Sequence, residues 1–136
     1  MKKNWLFAQR TKILAVDDEV GFTRLLALAA TQYEIRGEND PRRAIDAAVE
    51  FHPDLILVDR FMPKITGESL ARSIESHPKL GHIPIAFVTA SVPRDDEGQF
   101  CTHLNGHPIL MKPVSINQID QCVRSASRGS SPGFTS

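Results

Sequence analysis

Short apolar runs alternate along the chain with segments whose apolar residues recur at helical spacing. The apolar runs predict five strands, at residues 13–16, 33–36, 55–58, 83–88 and 108–111. The helical patterns lie between and after them, at residues 22–29, 44–51, 67–74 and 116–126. Continuous apolar runs are typical of strands that are buried on both faces, and amphipathic helices are what covers such faces.

This alternation predicts an α/β fold with a parallel sheet and helices on both faces, because β-α-β crossovers are almost always right-handed. The common order for five such strands is 2-1-3-4-5, the flavodoxin-like doubly wound sheet. The partly polar second run suits an edge strand. In this order the chain reverses between strands one and three, and open sheets bind ligands at such a point, beside the carboxyl ends of the strands.

Two segments lead to more local expectations. The first helix is predicted to use one face, which contains Phe22, Leu25, Leu26 and Ala29. The stretch from Pro93 to Asn105 has few apolar residues, and our interpretation there is a short, mobile helix.

Polar residues stand where the predicted strands end. Asp17 and Asp18 follow the first strand, and Asp59 follows the third. Thr89 ends the fourth strand and Lys112 follows the fifth. Because the carboxyl ends of parallel strands share one rim of the sheet, three acids, a hydroxyl and an amine are expected to converge there.

Such a group of charges favours phosphoryl chemistry. Three neighbouring carboxylates repel each other, and one of them takes up a proton unless a cation is present. Lys112 supplies one positive charge and a divalent ion supplies two. Mg²⁺ is the expected ion, since it prefers oxygen ligands and keeps positions for water and phosphate. Beside both, Asp59 is expected to stay ionised at neutral pH and to attack phosphorus, while the Thr89 hydroxyl donates to a phosphoryl oxygen.

The same residues form a set of short motifs in a fixed order. The motifs are Asp17-Asp18, Asp59-x-x-Met62-Pro63 with Gly67 eight positions after the aspartate, Thr89-Ala90 and Lys112-Pro113. Over residues 12–126 this set resembles the receiver domain of two-component response regulators. The resemblance implies a domain that is phosphorylated on an aspartate and switches the binding of a partner.

Carried over to this chain, the resemblance implies that Asp59 is the phosphoacceptor, Thr89 the switch hydroxyl and Lys112 the phosphate contact. It also implies a cis peptide bond before Pro113. The phosphoryl donor would be a phosphohistidine on a sensor histidine kinase or a histidine phosphotransfer protein. The downstream partner is unknown, and phosphorylation could promote a homodimer.

For the metal, the resemblance implies that Asp17, Asp18 and Asp59 bind Mg²⁺ together with the backbone carbonyl of Phe61. One position departs from the family pattern: Ile109 stands where an aromatic residue usually lies, three positions before the lysine. We therefore expect intact phosphorylation chemistry and an unusual readout.

The sequence leaves two other functions open. An aspartyl-phosphate hydrolase generally has a second acid two residues after the nucleophile, and Phe61 occupies that place here. A receiver-like interaction module that acts without phosphorylation is the other alternative, and Ile109 leaves room for it. A non-enzymatic phosphoacceptor is the preferred interpretation.

Length and composition limit these choices further. The 136 residues suit one domain at residues 12–126, with an N-terminal extension at 1–11 and a disordered tail or linker at 127–136. The 16 basic and 16 acidic side chains cancel, which argues against nucleic-acid binding by bulk charge. The two cysteines form no metal motif, and no apolar run is long enough for a signal peptide core or a membrane span. A cytoplasmic location is expected.

Overall fold

The computed structural model describes residues 10–127, which form four α-helices and six β-strands. The strands are β1 (Lys12–Val16), β2 (Glu34–Glu38), β3 (Leu55–Asp59), β4 (Ile85–Thr89), β5 (His103–Leu104) and β6 (His107–Met111). The helices are α1 (Val20–Ala29), α2 (Ala44–Phe51), α3 (Gly67–Glu75) and α4 (Ile116–Ser127). Among these residues no helix has the length and apolar character to cross a membrane. The extension predicted at 1–11 and the tail at 127–136 lie almost entirely outside the described residues, so the domain boundaries stay predictions.

The strands form one sheet in the order β2-β1-β3-β4-β6-β5. β1 pairs in parallel with β2 and β3, β3 pairs with β4, and β4 pairs with β6. With β6 as the predicted fifth strand, this is the order 2-1-3-4-5, and the flavodoxin-like class is confirmed. The predicted count of five strands is wrong by one, because the two-residue β5 pairs antiparallel with β6 at the edge.

Two hydrophobic clusters hold helices against the two faces of the sheet. The first cluster joins α2 and α3 to one face and contains Ala48, Ile74 and Phe87. The second joins α1 and α4 to the opposite face and contains Leu26 and Ile119. All residues of β3 and β4 are buried, which explains their continuous apolar runs. Burial on both faces fixes the register of the strands and therefore the height at which their last residues meet the rim.

Helix α1 does not use the face predicted for it. Leu25 is 65% exposed and Ala29 is also exposed, whereas Thr23 and Leu26 are buried. Thr23 faces β2 at Gly37, where an added Cβ would lie only 2.8 Å from the Thr23 Cβ. The prediction for Leu25 and Ala29 is wrong because apolar residues occur on more than one face of α1, so their spacing alone does not identify the side that packs on the sheet.

The helix predicted between Pro93 and Asn105 is absent, and two turns take its place. In the first turn Asp95 Oδ1 accepts hydrogen bonds from two of the backbone N–H groups that follow it, at 3.0 and 2.9 Å. Gly98 completes this turn with a φ of +81°. The second turn is the left-handed pair Asn105-Gly106, which joins β5 to β6. Asn-Gly is a strong signal for a two-residue hairpin turn, so the local sequence favours a hairpin over a helix.

The start of α3 packs closely against the loop that follows β3. Thr66 is the N-cap, and its hydroxyl accepts a hydrogen bond from Ser69 N at 3.1 Å. Gly67 N donates to Arg60 O at 2.7 Å. A Cβ on Gly67 would lie 2.6 Å from Asp59 O and 2.8 Å from Arg60 Cα, and both of these are backbone atoms that cannot swing away. Only glycine allows this approach.

Substitution of Gly67 by alanine should therefore destabilise the domain. We expect Gly67→Ala to lower the free energy of unfolding by about 1–3 kcal/mol, the usual cost of overpacking. Gly21→Ala is the matched control, because a Cβ at Gly21 of α1 meets nothing within 4 Å. The control should raise stability by roughly 0.5–1 kcal/mol, since alanine is the better helix former. Urea unfolding measures both, and equal stability of the two variants would contradict the packing argument.

Candidate functional site

The polar ends of four strands meet at one rim of the sheet. Asp17 directly follows β1, and Asp59 is the last residue of the neighbouring β3. Thr89 ends β4, and Lys112 directly follows β6. A backbone hydrogen bond from Lys112 N to Thr89 O, 2.8 Å long, keeps the last two in register. The structure thus brings together the strand-end residues that the sequence pointed to.

Three carboxylates form a cluster at this rim. Oxygen atoms of Asp17, Asp18 and Asp59 lie within 4.8 Å of one another, close enough to hold one metal ion. Asp17 is 1% exposed and Asp59 is 7% exposed, whereas Asp18 is open to solvent. Asp17 Oδ2 is buried, and among the described residues its contact is with the Lys112 ammonium at 2.8 Å, without the geometry of a hydrogen bond. A buried carboxylate oxygen with free lone pairs fits the ligand set of an oxygen-preferring divalent cation.

Lys112 supplies the nearest positive charge, but it is already engaged. Its Nζ lies 2.8 Å from Asp17 Oδ2 and 2.6 Å from Glu19 Oε1, and 4.5 Å from the centre of the Phe22 ring. Burial alone would lower the pKa of Lys112, but the contacts with Asp17 and Glu19 outweigh this and raise it. The same contact lowers the pKa of Glu19. Lys112 is therefore charged at neutral pH and shared between two carboxylates.

The Asp59 carboxyl has a pKa of about 7, well above its ordinary value. Burial is the largest cause, and the negative charge of Asp17 adds to it. Lys112 and a hydrogen bond from Phe61 N to Asp59 Oδ1, 3.4 Å long, act in the opposite direction. The charges of the protein itself leave this carboxyl about half protonated near neutral pH. The expectation that Asp59 stays ionised therefore depends on a divalent ion rather than on Lys112.

The Thr89 hydroxyl lies at the same rim and is 1% exposed. Its Oγ1 accepts a hydrogen bond from Ser91 N at 3.2 Å and lies 3.3 Å from Ser91 Oγ. Either hydroxyl can be the donor of this pair, and when Ser91 donates, the Thr89 proton is available for a further acceptor. The cis peptide bond expected between Lys112 and Pro113 is present.

Two residues beside the rim were not singled out from the sequence. Glu19 pairs with Lys112 and belongs to the charge network. Arg60, the residue after Asp59, is buried, and its Nε lies 2.9 Å from Glu68 Oε2. Adjacency to Asp59 is the signal in the sequence that would have drawn attention to Arg60. The burial of Arg60 depends on its ion pair with Glu68, eight residues away, and the order of residues in the sequence does not predict that pair.

Comparison with known proteins identifies the class. The family model of the response regulator receiver domain matches residues 13–124. The chain therefore belongs to this family, the receiver domains of two-component signalling. Response regulator PleD of Caulobacter vibrioides is 34% identical over 119 residues, which are 86% of this chain and 26% of PleD. Polar-differentiation response regulator DivK of Brucella ovis is 30% identical over 98 residues, 72% of this chain and 79% of DivK. This chain thus spans about a quarter of the length of PleD.

Solved structures support the fold. The Vibrio cholerae chemotaxis protein CheY4 superposes with a TM-score of 0.69 at 22% identity, covering 86% of this chain and 98% of CheY4. A sensor protein from Polaromonas sp. JS666 superposes with a TM-score of 0.72 at 22% identity, covering 88% and 98%. At this identity the likeness concerns the arrangement of helices and strands.

The raised pKa of Asp59 predicts a pH-dependent stability in metal-free solution. Between the ordinary aspartate pKa of about 4 and the folded value of about 7, the folded state holds a proton that the unfolded state has released. The contribution of Asp59 to stability should therefore fall as the pH rises through this window. Urea unfolding in EDTA at about pH 5 and about pH 8 measures this decline.

Asp59→Asn serves as the comparison for this experiment. Asparagine does not ionise, so the variant should be stabilised relative to the wild type at the higher pH and little changed at the lower one. Mg²⁺ should restore wild-type stability at the higher pH, since metal ions bind the ionised carboxylate. An identical pH dependence in wild type and variant would show that the pKa of Asp59 is not raised.

Proposed function

We propose that Asp59 accepts a phosphoryl group from a phosphohistidine and that the phosphorylated domain switches the binding of a partner. The donor would be a sensor histidine kinase or a histidine phosphotransfer protein. The observation that carries the proposal is the meeting of Asp59 with Asp17, Thr89 and Lys112 at one rim of the sheet. Membership of the receiver domain family supports the same reaction.

In the proposed reaction an Asp59 carboxylate oxygen attacks phosphorus and forms a P–O bond. The P–N bond to the donor imidazole breaks, and its electron pair stays on that nitrogen, so the products are an acyl phosphate and a neutral imidazole after proton uptake. The Thr89 hydroxyl donates a hydrogen bond to a phosphoryl oxygen. The Lys112 ammonium has three N–H donors, and the one that Asp17 and Glu19 do not engage contacts another phosphoryl oxygen.

Asp17, Asp18 and Asp59 would hold Mg²⁺, with the Phe61 backbone carbonyl as a further ligand. The buried Asp17 Oδ2 atom supports this assignment, because its contact among the described residues is the Lys112 ammonium at 2.8 Å, which leaves a lone pair for a metal ion. When bound, Mg²⁺ would keep Asp59 ionised and neutralise charge on the phosphoryl oxygens. The solvent-exposed Asp18 leaves a path by which the ion can enter.

The chain itself is proposed to be a phosphoacceptor and not a turnover enzyme. Phe61 stands two residues after Asp59, where a hydrolase generally has its second acid.

A cytoplasmic location is part of the proposal. Both cysteines are free thiols, which is the state that reducing compartments maintain. The identity of the downstream partner and a homodimer of the phosphorylated form also belong to the proposal.

A module that binds its partner without phosphorylation is the second candidate. The observation that favours it is Ile109, which is 7% exposed and packs in the first hydrophobic cluster. An aliphatic side chain in this position cannot make the hydrogen bond that an aromatic hydroxyl could. Equal partner affinity with and without Mg²⁺ and fluoroberyllate, a phosphate mimic, would favour this candidate.

The phosphoacceptor assignment has a direct test. Incubation with Mg²⁺ and a small acyl phosphate should add the mass of one phosphoryl group to the intact protein. Asp59→Asn should abolish the addition, because an amide oxygen is a poor nucleophile and cannot form the acyl phosphate. Asp46→Asn, on the exposed side of α2, is the matched control and should be phosphorylated like the wild type. Phosphorylation that survives in Asp59→Asn would refute the assignment.

A further inference from the structure

Arg60 is a buried guanidinium in the residue next to Asp59. Its side chain is 6% exposed, and its Nε lies 2.9 Å from Glu68 Oε2 in the first turn of α3. Its Nη1 donates a hydrogen bond of 2.6 Å to the backbone carbonyl of Arg94, in the segment that follows β4. The guanidinium also lies 5.0 Å from the centre of the Phe61 ring. One side chain thus connects the loop after β3 to α3 and to the segment after β4.

The backbone of Arg60 is fixed as well. Arg60 N donates to Val88 O of β4 at 2.8 Å, and Arg60 O accepts from Gly67 N at 2.7 Å. Both hydrogen bonds lie one residue from the Asp59 carboxyl. A change in the position of Asp59 therefore reaches the Arg60 side chain through a short, tightly held piece of chain.

The segment at the other end of this contact is a compact unit. Arg94 forms an antiparallel bridge with Phe100, and Cys101 N donates to Pro93 O at 3.2 Å. The Asp95 turn lies between them. We call residues 91–101 the bridged segment. Because Pro93 and Arg94 are paired with Cys101 and Phe100, a displacement of the Arg94 carbonyl should move residues 93–101 together.

The ion pair with Glu68 fixes the position of the Arg60 guanidinium. Glu68 Oε1 is buried and has no hydrogen-bond partner among the described residues, so Arg60 is the cation that balances it. A guanidinium has five donors and prefers strongly charged acceptors such as phosphate. Glu68 and the Arg94 carbonyl already engage these donors, so the guanidinium passes a displacement of the loop after β3 on to α3 and to the bridged segment.

From these contacts we propose that Arg60 is a positioning residue that couples phosphorylation of Asp59 to the bridged segment. The bridged segment carries Val92 and Phe100 at 49% and 64% exposure, so its displacement would change an exposed surface of the domain. This inference rests on the proposed phosphorylation of Asp59. It assigns a route for the signal that does not need an aromatic residue at position 109.

Hydrogen exchange of the full chain, with and without Mg²⁺ and fluoroberyllate, tests the coupling. In the wild type the exchange of the amides of residues 91–101 should change at least about fivefold, the lower end of typical couplings between sites. Arg60→Met should lose this response while still gaining one phosphoryl group from a small acyl phosphate. Arg94→Ala is the matched control. It should keep the response, because Arg60 binds the backbone carbonyl and not the Arg94 side chain.

The outcomes separate coupling from a purely structural role. If Arg60 only supports the fold, Arg60→Met will exchange faster in both states and the response to fluoroberyllate will persist, which would overturn the inference. If Arg60→Met does not fold, Arg60→Lys decides: one ammonium cannot hold both partners of the planar guanidinium, so a full response would also overturn it. A wild-type protein that takes up no phosphoryl group would refute the proposed function itself, whereas phosphorylation without a response would refute only the coupling.

Discussion

Repulsion between the carboxylates of Asp17 and Asp59 is the interaction around which the rim is arranged. β1 and β3 are neighbours, with Val16 opposite Val58, so both acids are forced to the same height in a buried position. Neither can move away, because the strands are packed between helices on both faces. Lys112 adds one positive charge to the rim, but it is shared with the carboxylate of Glu19. The rim therefore keeps an excess of negative charge. The packed core thus keeps two carboxylates close together, and the repulsion between them would be reduced by a bound cation.

The parts of the fold that the sequence could predict are those determined by burial on both faces. The runs in β3 and β4 are fully buried, so their apolar pattern revealed both the strands and the polar residues at their ends. The orientation of α1 was not predictable, since Leu25 and Leu26 are both apolar and only packing against β2 decides that Leu26 is inside. The burial of Arg60 was not predictable either, because its partners lie 8 and 34 residues away.

The rim of strand ends and the segment after β4 are built from different kinds of structure. The rim is built from strand ends, which the receiver fold places in the same way in relatives that share less than a quarter of their residues with this chain. The segment after β4 is built from turns, whose form depends on a few local residues such as Asp95 and Gly98. Turns of this kind change easily without disturbing a core. The same sheet can therefore carry different surfaces in the segment after β4.

The Asn105-Gly106 hairpin has a consequence for how the sheet ends. β6 is the last parallel strand, and an unprotected strand in this position would offer its open backbone groups to another sheet. The two residues of β5 cover His107 and Pro108, and Ile109 N donates to Thr102 O at 2.8 Å. The hairpin thus covers the start of the edge strand β6 and opposes edge-to-edge aggregation there. It does so in a part of the described chain that forms no helix.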